Sequence, residues 1–247
     1  TTTKNSSIGK SVRRKEDLRL ITGKGNYSDD VSLPGQTYAI FVRSPHAHAR
    51  IRGIATSRAM KVPGVLMVLT GRDMLADGLK PLPHQPTATH QAETPLVNRG
   101  GAPVFVGTHY PLAHDKARHV GEAVAVVIGQ TVAAAKDGAE EIDVDYEVLP
   151  AVTVTVKAAQ ADAPRVWDQS SSNISLDADV GSAEATAAAF ARAKHVVKLE
   201  TWVQRVTGVT MEPRAAVGEY DASTQRYTLH AGSGGAVRMK EDLAIIL

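Results

Sequence analysis

Short apolar runs separated by turn residues divide the first part of the chain into small elements. Arg13–Gly23 predicts a short helix that ends at glycine, and turn-forming residues follow as far as Gly35. Three apolar runs then predict strands: Thr37–Arg43, Ala49–Ile54 and Val65–Thr70. A helical turn is expected at Ser57–Lys61, and a further short helix is expected to start at Asp73.

The clearest pattern is a strand, a helix and a second strand in succession. Glu122–Ile128 is a continuous β-branched run, which is typical of a strand buried on both faces. Thr131 is a good N-cap for the alanine-rich helix Val132–Glu141. Ile142–Val148 alternates apolar and acidic residues, which predicts a strand with one face exposed to solvent. Such a short succession predicts a right-handed crossover.

Two stretches of the chain are less regular, one before this strand–helix–strand unit and one after it. Residues 77–103 are rich in proline and glycine and predict an extended connection. The composition shifts at Gln169–Asp179, so we place a domain boundary near residue 170. Ser182 is expected to cap a helix that reaches Ala193, and His195–Val206 alternates as a long strand would.

Two strands and a helix are predicted for the last part of the chain. Arg214–Tyr220 and Arg226–His230 are the strands, with a turn at Asp221–Ser223 between them. A helix follows from Ala236, and one of its faces is apolar: Ala236, Met239, Leu243 and Leu247. No glycine cap or proline stop ends this pattern, so we expect that the chain is cut or that a second chain completes the fold.

Composition narrows the class of protein. Aromatic residues are only 4% of the chain, so the core must be aliphatic, as in mixed helix and sheet layers. The absence of cysteine excludes disulfides, thiolate zinc sites and cysteine-ligated iron–sulfur clusters within this sequence. No signal-peptide core and no membrane-length apolar run is present, so we expect a cytoplasmic protein that does not enter the membrane.

The net charge of +2 is unevenly distributed. Residues 1–24 contain seven basic and two acidic residues, a local net charge of +5. A basic arm could contact nucleic acid, but no helix-turn-helix, RNP or zinc pattern accompanies it. We therefore expect a solvated arm, or one docked on an acidic partner, and no nucleic-acid partner.

Histidines and one acid–base motif are the side chains with candidate chemistry. No carboxylate or third histidine lies at ligand spacing from His46-Ala47-His48, and the five-residue spacing of His109, His114 and His119 fits neither a helix nor a strand, so no metal site is predicted. A structural role is expected for the first pair, with His46 bonded to backbone. Glu212-Pro213-Arg214 is expected to form a buried structural ion pair, because a neighbouring arginine would lower the pKa that a catalytic glutamate needs raised.

Ser233, Gly234 and Gly235 are the candidate cofactor-binding residues. They follow a predicted strand and open the last helix. Glycines let backbone N–H groups approach an anion closely, and a helix N-terminus favours negative charge. A phosphate or an anionic cofactor could therefore lie here.

Several segments resemble the large subunit of the molybdenum hydroxylases, the xanthine dehydrogenase, aldehyde oxidase and carbon monoxide dehydrogenase family. Phe41–Ile51, which reads FVRSPHAHARI, is the most specific match. The other matching segments follow in family order: Arg14–Asp30, Pro63–Val65, Pro111–Ala113, Val120–Val126, Val144–Val152 and Met211–Ala216. The resemblance therefore covers nearly the whole chain.

The resemblance implies an α+β fold with two consecutive domains. Residues 19–155 would form the α/β hammerhead domain, after an arm at residues 1–18. Residues 156–174 would be a linker, and residues 175–247 the incomplete first part of the molybdopterin-binding domain. Family members use the molybdenum cofactor to hydroxylate an aldehyde, an N-heterocycle or a similar carbon with water-derived oxygen. Their electrons leave through Fe-S clusters and FAD on partner subunits.

Two departures from the family pattern limit what this chain is expected to do. The family often has a Ser-Thr-Gln turn whose glutamine lies near the molybdenum ligands, and Gly234 takes the place of that glutamine here. The later glycine-rich cofactor loops and the catalytic glutamate have no counterpart up to Leu247. We therefore assign no catalytic or metal-binding residue, and we expect the isolated chain to be inactive and to bind no molybdenum.

Two functions remain open on the sequence alone. The first is a component of a molybdenum-dependent oxidoreductase, whose partners would be the remainder of the large subunit, the iron–sulfur and FAD subunits and a small-molecule substrate. The alternative is a non-catalytic assembly or interaction module that uses the hammerhead fold.

Overall fold

The computed structural model describes residues 9–83, 97–152, 154–204, 206–210, 214–232 and 234–247. The described residues form two compact units. The larger unit comprises Gln36–Trp202 and Ala236–Leu247, and the smaller unit comprises Thr1–Gly35 and Val203–Gly235.

Helices and strands are mixed along the chain. The strands are β1 (Tyr38–Arg43), β2 (Ala49–Ala55), β3 (Val65–Thr70), β4 (Lys116–Ala117), β5 (Ala123–Gly129), β6 (Asp143–Val148), β7 (Ala216–Asp221) and β8 (Arg226–Ala231). The helices are α1 (Asp17–Ile21), α2 (Gly71–Ala76), α3 (Val132–Glu140), α4 (Thr155–Ala158), α5 (Ala183–Arg192) and α6 (Ala236–Ile246). The predicted helical turn before β3 is a 3₁₀ turn at Ala59–Lys61.

The first sheet of the larger unit has the order β1-β5-β3, and both of its ladders are antiparallel. β5 lies in the middle and is buried along most of its length, as its continuous apolar run predicts. α3 packs on this sheet, and Gly138 permits the close approach. A Cβ at Gly138 would lie 2.6 Å from Cγ2 of Val65 and 3.0 Å from Cγ1 of Val127.

The second sheet has the order β4-β2-β6 and is also antiparallel. Its apolar residues meet those of the first sheet in one core cluster. Ile51, Ala113 and Val124 are buried at the centre of this cluster. Half-buried side chains from both sheets surround them: Val42, Ile54, Val144 and Tyr146. The two sheets thus share one aliphatic core, which replaces the aromatic core that this composition lacks.

The strand–helix–strand unit is confirmed in its elements, but the predicted right-handed crossover is wrong. A crossover would place β5 and β6 in one sheet, whereas β5 lies in the first sheet and β6 in the second. Both edges of β5 are already hydrogen-bonded, to β1 and to β3. β6 pairs instead with β2, so α3 carries the chain from one sheet to the other.

The start of α3 was predicted correctly, and the start of α2 was predicted two residues too late. The hydroxyl of Thr131 accepts a hydrogen bond from the N–H of Ala134 at 3.1 Å, which caps α3. α2 begins at Gly71, two residues before the expected start, so Asp73 is the third residue of the helix. The N–H and the hydroxyl of Thr70 both donate to the Asp73 carboxylate. The Thr70 hydroxyl, with help from its N–H, lowers the pKa of Asp73 below its ordinary value.

The smaller unit contains α1 and the hairpin β7–β8, in which Val217 pairs with His230. Tyr220 and Tyr227 face each other across the hairpin with ring centroids 4.6 Å apart. Asp221 closes the turn by accepting hydrogen bonds from the hydroxyls of Thr224 and Ser223, and these bonds lower the pKa of Asp221 to about 2. The two strands and their turn agree with the sequence prediction.

The long strand predicted at His195–Val206 is wrong for the part that the structure describes. Residues 195–204 have no strand conformation, and they belong to no ladder among the described residues. An alternating pattern forms a strand only where a neighbouring strand supplies its backbone hydrogen bonds. The helix before it is as expected, since the Ser182 hydroxyl accepts from the N–H of Ala185 and caps α5.

The apolar face predicted for the last helix is partly buried within the larger unit. Ile246 is buried, and its carbonyl accepts a hydrogen bond from the N–H of Lys80 at 2.9 Å. Met239 and Leu243 are half-buried, whereas Leu247 is exposed. No helix among the described residues is both long and apolar enough to cross a membrane.

Candidate functional site

The glycine turn follows β8 in the smaller unit. Ser233 lies outside the described residues, so the geometry rests on Gly234 and Gly235, which are both exposed. A Cβ built at Gly234 would meet no atom within 4 Å. Gly235 has a φ of +154°, a backbone conformation that other residues rarely adopt. The turn therefore offers open space beside its backbone.

The helix that follows in sequence, α6, has charges that suit an anion at its start. Its first turn contains no acidic residue. Arg238 lies near this end with its side chain 74% exposed, and its Nε is 3.9 Å from a carboxylate oxygen of Asp242. A helix N-terminus carries a partial positive charge. Acidic side chains in the first turn would neutralise this charge, and α6 has none there. The turn by itself thus leaves space beside the Gly234 backbone for the phosphate of a pterin cofactor, and α6 by itself has no acidic residue in its first turn that would repel an anion.

The candidate histidines are placed separately and have structural contacts. The imidazole bonded to backbone belongs to His48, not to His46 as expected. Nδ1 of His48 lies 3.0 Å from the carbonyl oxygen of Pro150 and therefore donates to it. The ring of His46 packs edge-on against Tyr146 at 5.0 Å. His48 is the residue that joins the start of the second sheet to the chain beyond β6.

The triplet of histidines is likewise divided among different neighbours. His109 packs against Trp167, and His114 packs against Tyr110. Nδ1 of His119 lies 3.6 Å from the Glu122 carboxylate. No group of three or more ligand-type side chains gathers into a metal site within the described ranges. The predicted ion pair of Glu212 falls outside those ranges, and Arg214, which they include, is exposed.

Comparison with known families divides the chain into two regions. Residues 22–150 match the family described as aldehyde oxidase and xanthine dehydrogenase, a/b hammerhead domain. Residues 166–247 match the molybdopterin cofactor-binding domain. The second match includes the glycine turn.

Curated relatives match over most of this chain. The carbon monoxide dehydrogenase large chain of Afipia carboxidovorans is 34% identical over 239 residues, covering 92% of this chain and 27% of the relative. The nicotine 6-hydroxylase large subunit of Paenarthrobacter nicotinovorans is also 34% identical, covering 90% of this chain and 25% of the relative. The chain therefore spans about a quarter of the length of these relatives.

Solved structures agree with the fold. The Cu,Mo-CO dehydrogenase in its carbon monoxide reduced state matches with a TM-score of 0.75 and 30% identity, over 95% of this chain and 29% of that structure's chain. Quinoline 2-oxidoreductase from Pseudomonas putida matches with a TM-score of 0.66 and 35% identity, over 91% of this chain and 26% of the other. The predicted α+β hammerhead fold is confirmed.

Fold and site together define an α+β protein in which a hammerhead domain precedes a region of the molybdopterin-binding type. The chain belongs to the aldehyde oxidase and xanthine dehydrogenase family of molybdenum hydroxylases.

Sequence reasoning missed one group of residues that the structure brings together. Lys116 and Arg118, which come from β4 and the residue after it, contact Trp167 and Asp168 about fifty positions further along the chain. The signal available in the sequence is weak. Trp167 is one of only two tryptophans, and Lys116 lies among other polar residues between His114 and His119. Neither feature indicates a partner.

Proposed function

We propose that this chain is part of the molybdopterin-binding large subunit of a molybdenum-dependent hydroxylase. Residues 1–18 would form an arm, residues 19–155 the hammerhead domain and residues 156–174 the connection. Residues 175–247 would begin the molybdopterin-binding domain. The observation that carries the proposal is the order of the two family regions on one chain, hammerhead first and cofactor-binding second.

Ser233, Gly234 and Gly235 would lie beside the molybdopterin. The open space at Gly234 supports this role, because a bulky cofactor can approach the backbone there. When bound, the cofactor supplies the molybdenum centre at which a substrate carbon is hydroxylated with oxygen from water. Gly234 would offer a backbone donor and no side-chain amide, unlike the glutamine that the family often has at this place. The chain's own contribution would be to hold and orient the cofactor.

The substrate would be a small molecule with a hydroxylatable carbon, in an aldehyde, an N-heterocycle or a similar group. The names of two relatives, nicotine 6-hydroxylase and quinoline 2-oxidoreductase, support an N-heterocycle. Electrons would leave through Fe-S and FAD partner subunits. The test is an assay of the complete protein with aldehydes and N-heterocycles in isotopically labelled water. Labelled oxygen in the product supports the proposal, whereas cofactor-loaded protein that oxidises none of them contradicts it.

Replacing Gly234 with valine should lower the molybdenum content of the complete enzyme severalfold and lower its activity in proportion. The Cβ would enter open space within the protein, so the thermal midpoint of unfolding of the cofactor-free protein should stay unchanged although the bound cofactor would be crowded. Metal analysis of the purified enzyme measures the effect.

Gly218→Val is the matched control for this substitution. Gly218 lies in β7 of the same unit and has equally open space around it, and valine suits a strand. The control should keep its molybdenum. Normal molybdenum content in Gly234→Val would show that the turn does not face the cofactor.

A further inference from the structure

Trp167 lies beyond the residues that match the hammerhead domain and close to the start of the molybdopterin-binding match at residue 166, and it contacts residues of the hammerhead region. The guanidinium carbon of Arg118 is 4.0 Å from the centroid of its ring, a cation–π contact. The rings of Phe105 and His109 lie 6.1 Å and 5.4 Å from it. The Trp167 ring also packs against Gly107. A Cβ at Gly107 would lie only 2.5 Å from ring carbons of Trp167, so the indole rests directly on this glycine.

The next residue, Asp168, forms an ion pair with Lys116 in which one partner is buried and the other is exposed. Its Oδ2 accepts a hydrogen bond from Nζ of Lys116 at 2.5 Å. The Lys116 side chain is only 6% exposed, whereas that of Asp168 is 70% exposed. A buried ammonium without a partner is costly, because few other groups replace its water. Loss of Asp168 would therefore leave a buried charge without a partner, whereas loss of Lys116 would leave a carboxylate that water can solvate.

The chain on both sides of these two residues is held by further hydrogen bonds. The side chain of Asn173 accepts from the N–H of Val166 and donates to the carbonyls of Ala158 and Pro164. Further along, Phe105 and Ser175 exchange two hydrogen bonds, one from each residue. The Asn173 bonds thus hold residues 158–173 to one another, and the Phe105–Ser175 bonds attach the end of the segment to the hammerhead region.

We infer that Trp167 and Asp168 are a latch that fixes the connection onto the hammerhead region at Gly107, Lys116 and Arg118. The consequence is that residues 158–175 fold and open together with the hammerhead and do not behave as a free linker. The molybdopterin-binding region then starts from a fixed point on the hammerhead surface. This inference concerns the fold and holds whichever substrate the enzyme takes.

The first test uses the close contact at Gly107. Gly107 has no unusual φ, so alanine is compatible with its backbone, and the three atoms nearest to the added methyl group all belong to the Trp167 ring. Gly107→Ala should raise the rate of amide exchange in residues 158–175 about tenfold, as expected for loss of roughly one such contact. The same change added to Trp167→Leu should have little further effect. Hydrogen exchange read peptide by peptide in the intact protein gives both results.

The second test uses the unequal ion pair. Asp168→Ala leaves the buried Lys116 unpaired and should speed exchange in the same segment by about tenfold or more. Lys116→Met added to Asp168→Ala should reverse most of that effect, because no buried charge remains. Asp179→Ala is the control, since the Arg99–Asp179 pair is exposed on both sides and should contribute little.

Two results would overturn the latch. One is unchanged exchange in residues 158–175 for both Gly107→Ala and Asp168→Ala. The other is an effect of Gly107→Ala that is equally large with and without Trp167. If Gly107→Ala prevents folding altogether, the Lys116 and Asp168 cycle decides alone: rescue by Lys116→Met supports the latch, and no rescue contradicts it.

Discussion

Replacing Leu112 with alanine is expected to lower the free energy of unfolding of this protein by about 2–5 kcal/mol. Leu112 is fully buried, and no larger side chain among the described residues is buried so completely. It precedes Ala113, which belongs to the core cluster between the two sheets and whose N–H donates to the carbonyl of Ala123. Truncation removes buried apolar surface and leaves a cavity at a fully buried position.

Urea unfolding with a probe of the larger unit measures this loss. Leu199→Ala is the control, because Leu199 is 84% exposed and lies in an extended segment of the same unit. The control should change the unfolding free energy by less than about 0.5 kcal/mol. Equal losses in the two variants would mean that Leu112 is not a core residue in solution.

Gly71→Ala should also lower the free energy of unfolding, but by overpacking, because the added methyl group would overlap with neighbouring atoms. A Cβ at Gly71 would lie 2.7 Å from the carbonyl oxygen of Ala113 and 2.8 Å from Cα of His114. Both are backbone atoms, so no side-chain rotation can relieve the contact. The junction of β3 and α2 would have to move away from the core, at a cost of about 1–3 kcal/mol.

Gly53→Ala is the matched control for that substitution. Gly53 lies in β2 of the same unit, and a Cβ there would meet nothing within 4 Å. It should leave stability unchanged or raise it slightly, because alanine restricts the unfolded chain more than glycine does. A Gly71→Ala variant as stable as Gly53→Ala would show that the two backbone segments are further apart than described.

Much of the local structure could be predicted from the residues themselves. β3 was predicted at both ends, and the caps at Thr131 and Ser182 were correct in residue and in role. Apolar periodicity and capping depend on neighbours within a few positions, so these features are present in the sequence in readable form. The glycine turn after β8 was also visible, and its open space at Gly234 supports the role proposed for it.

Tertiary structure alone decided which elements meet. β5 and β6 lie in different sheets because both hydrogen-bonding edges of β5 are paired, with β1 and with β3. The residue pattern within β5 does not predict which strands will pair with it. For the same reason, the alternation at His195–Val206 could not guarantee a ladder. Lys116 and Asp168 are separated by 52 positions, so their pairing has no periodic signature. A sequence determines how each segment can fold locally, but a contact between distant segments depends on the space and the backbone groups that the rest of the chain has left free.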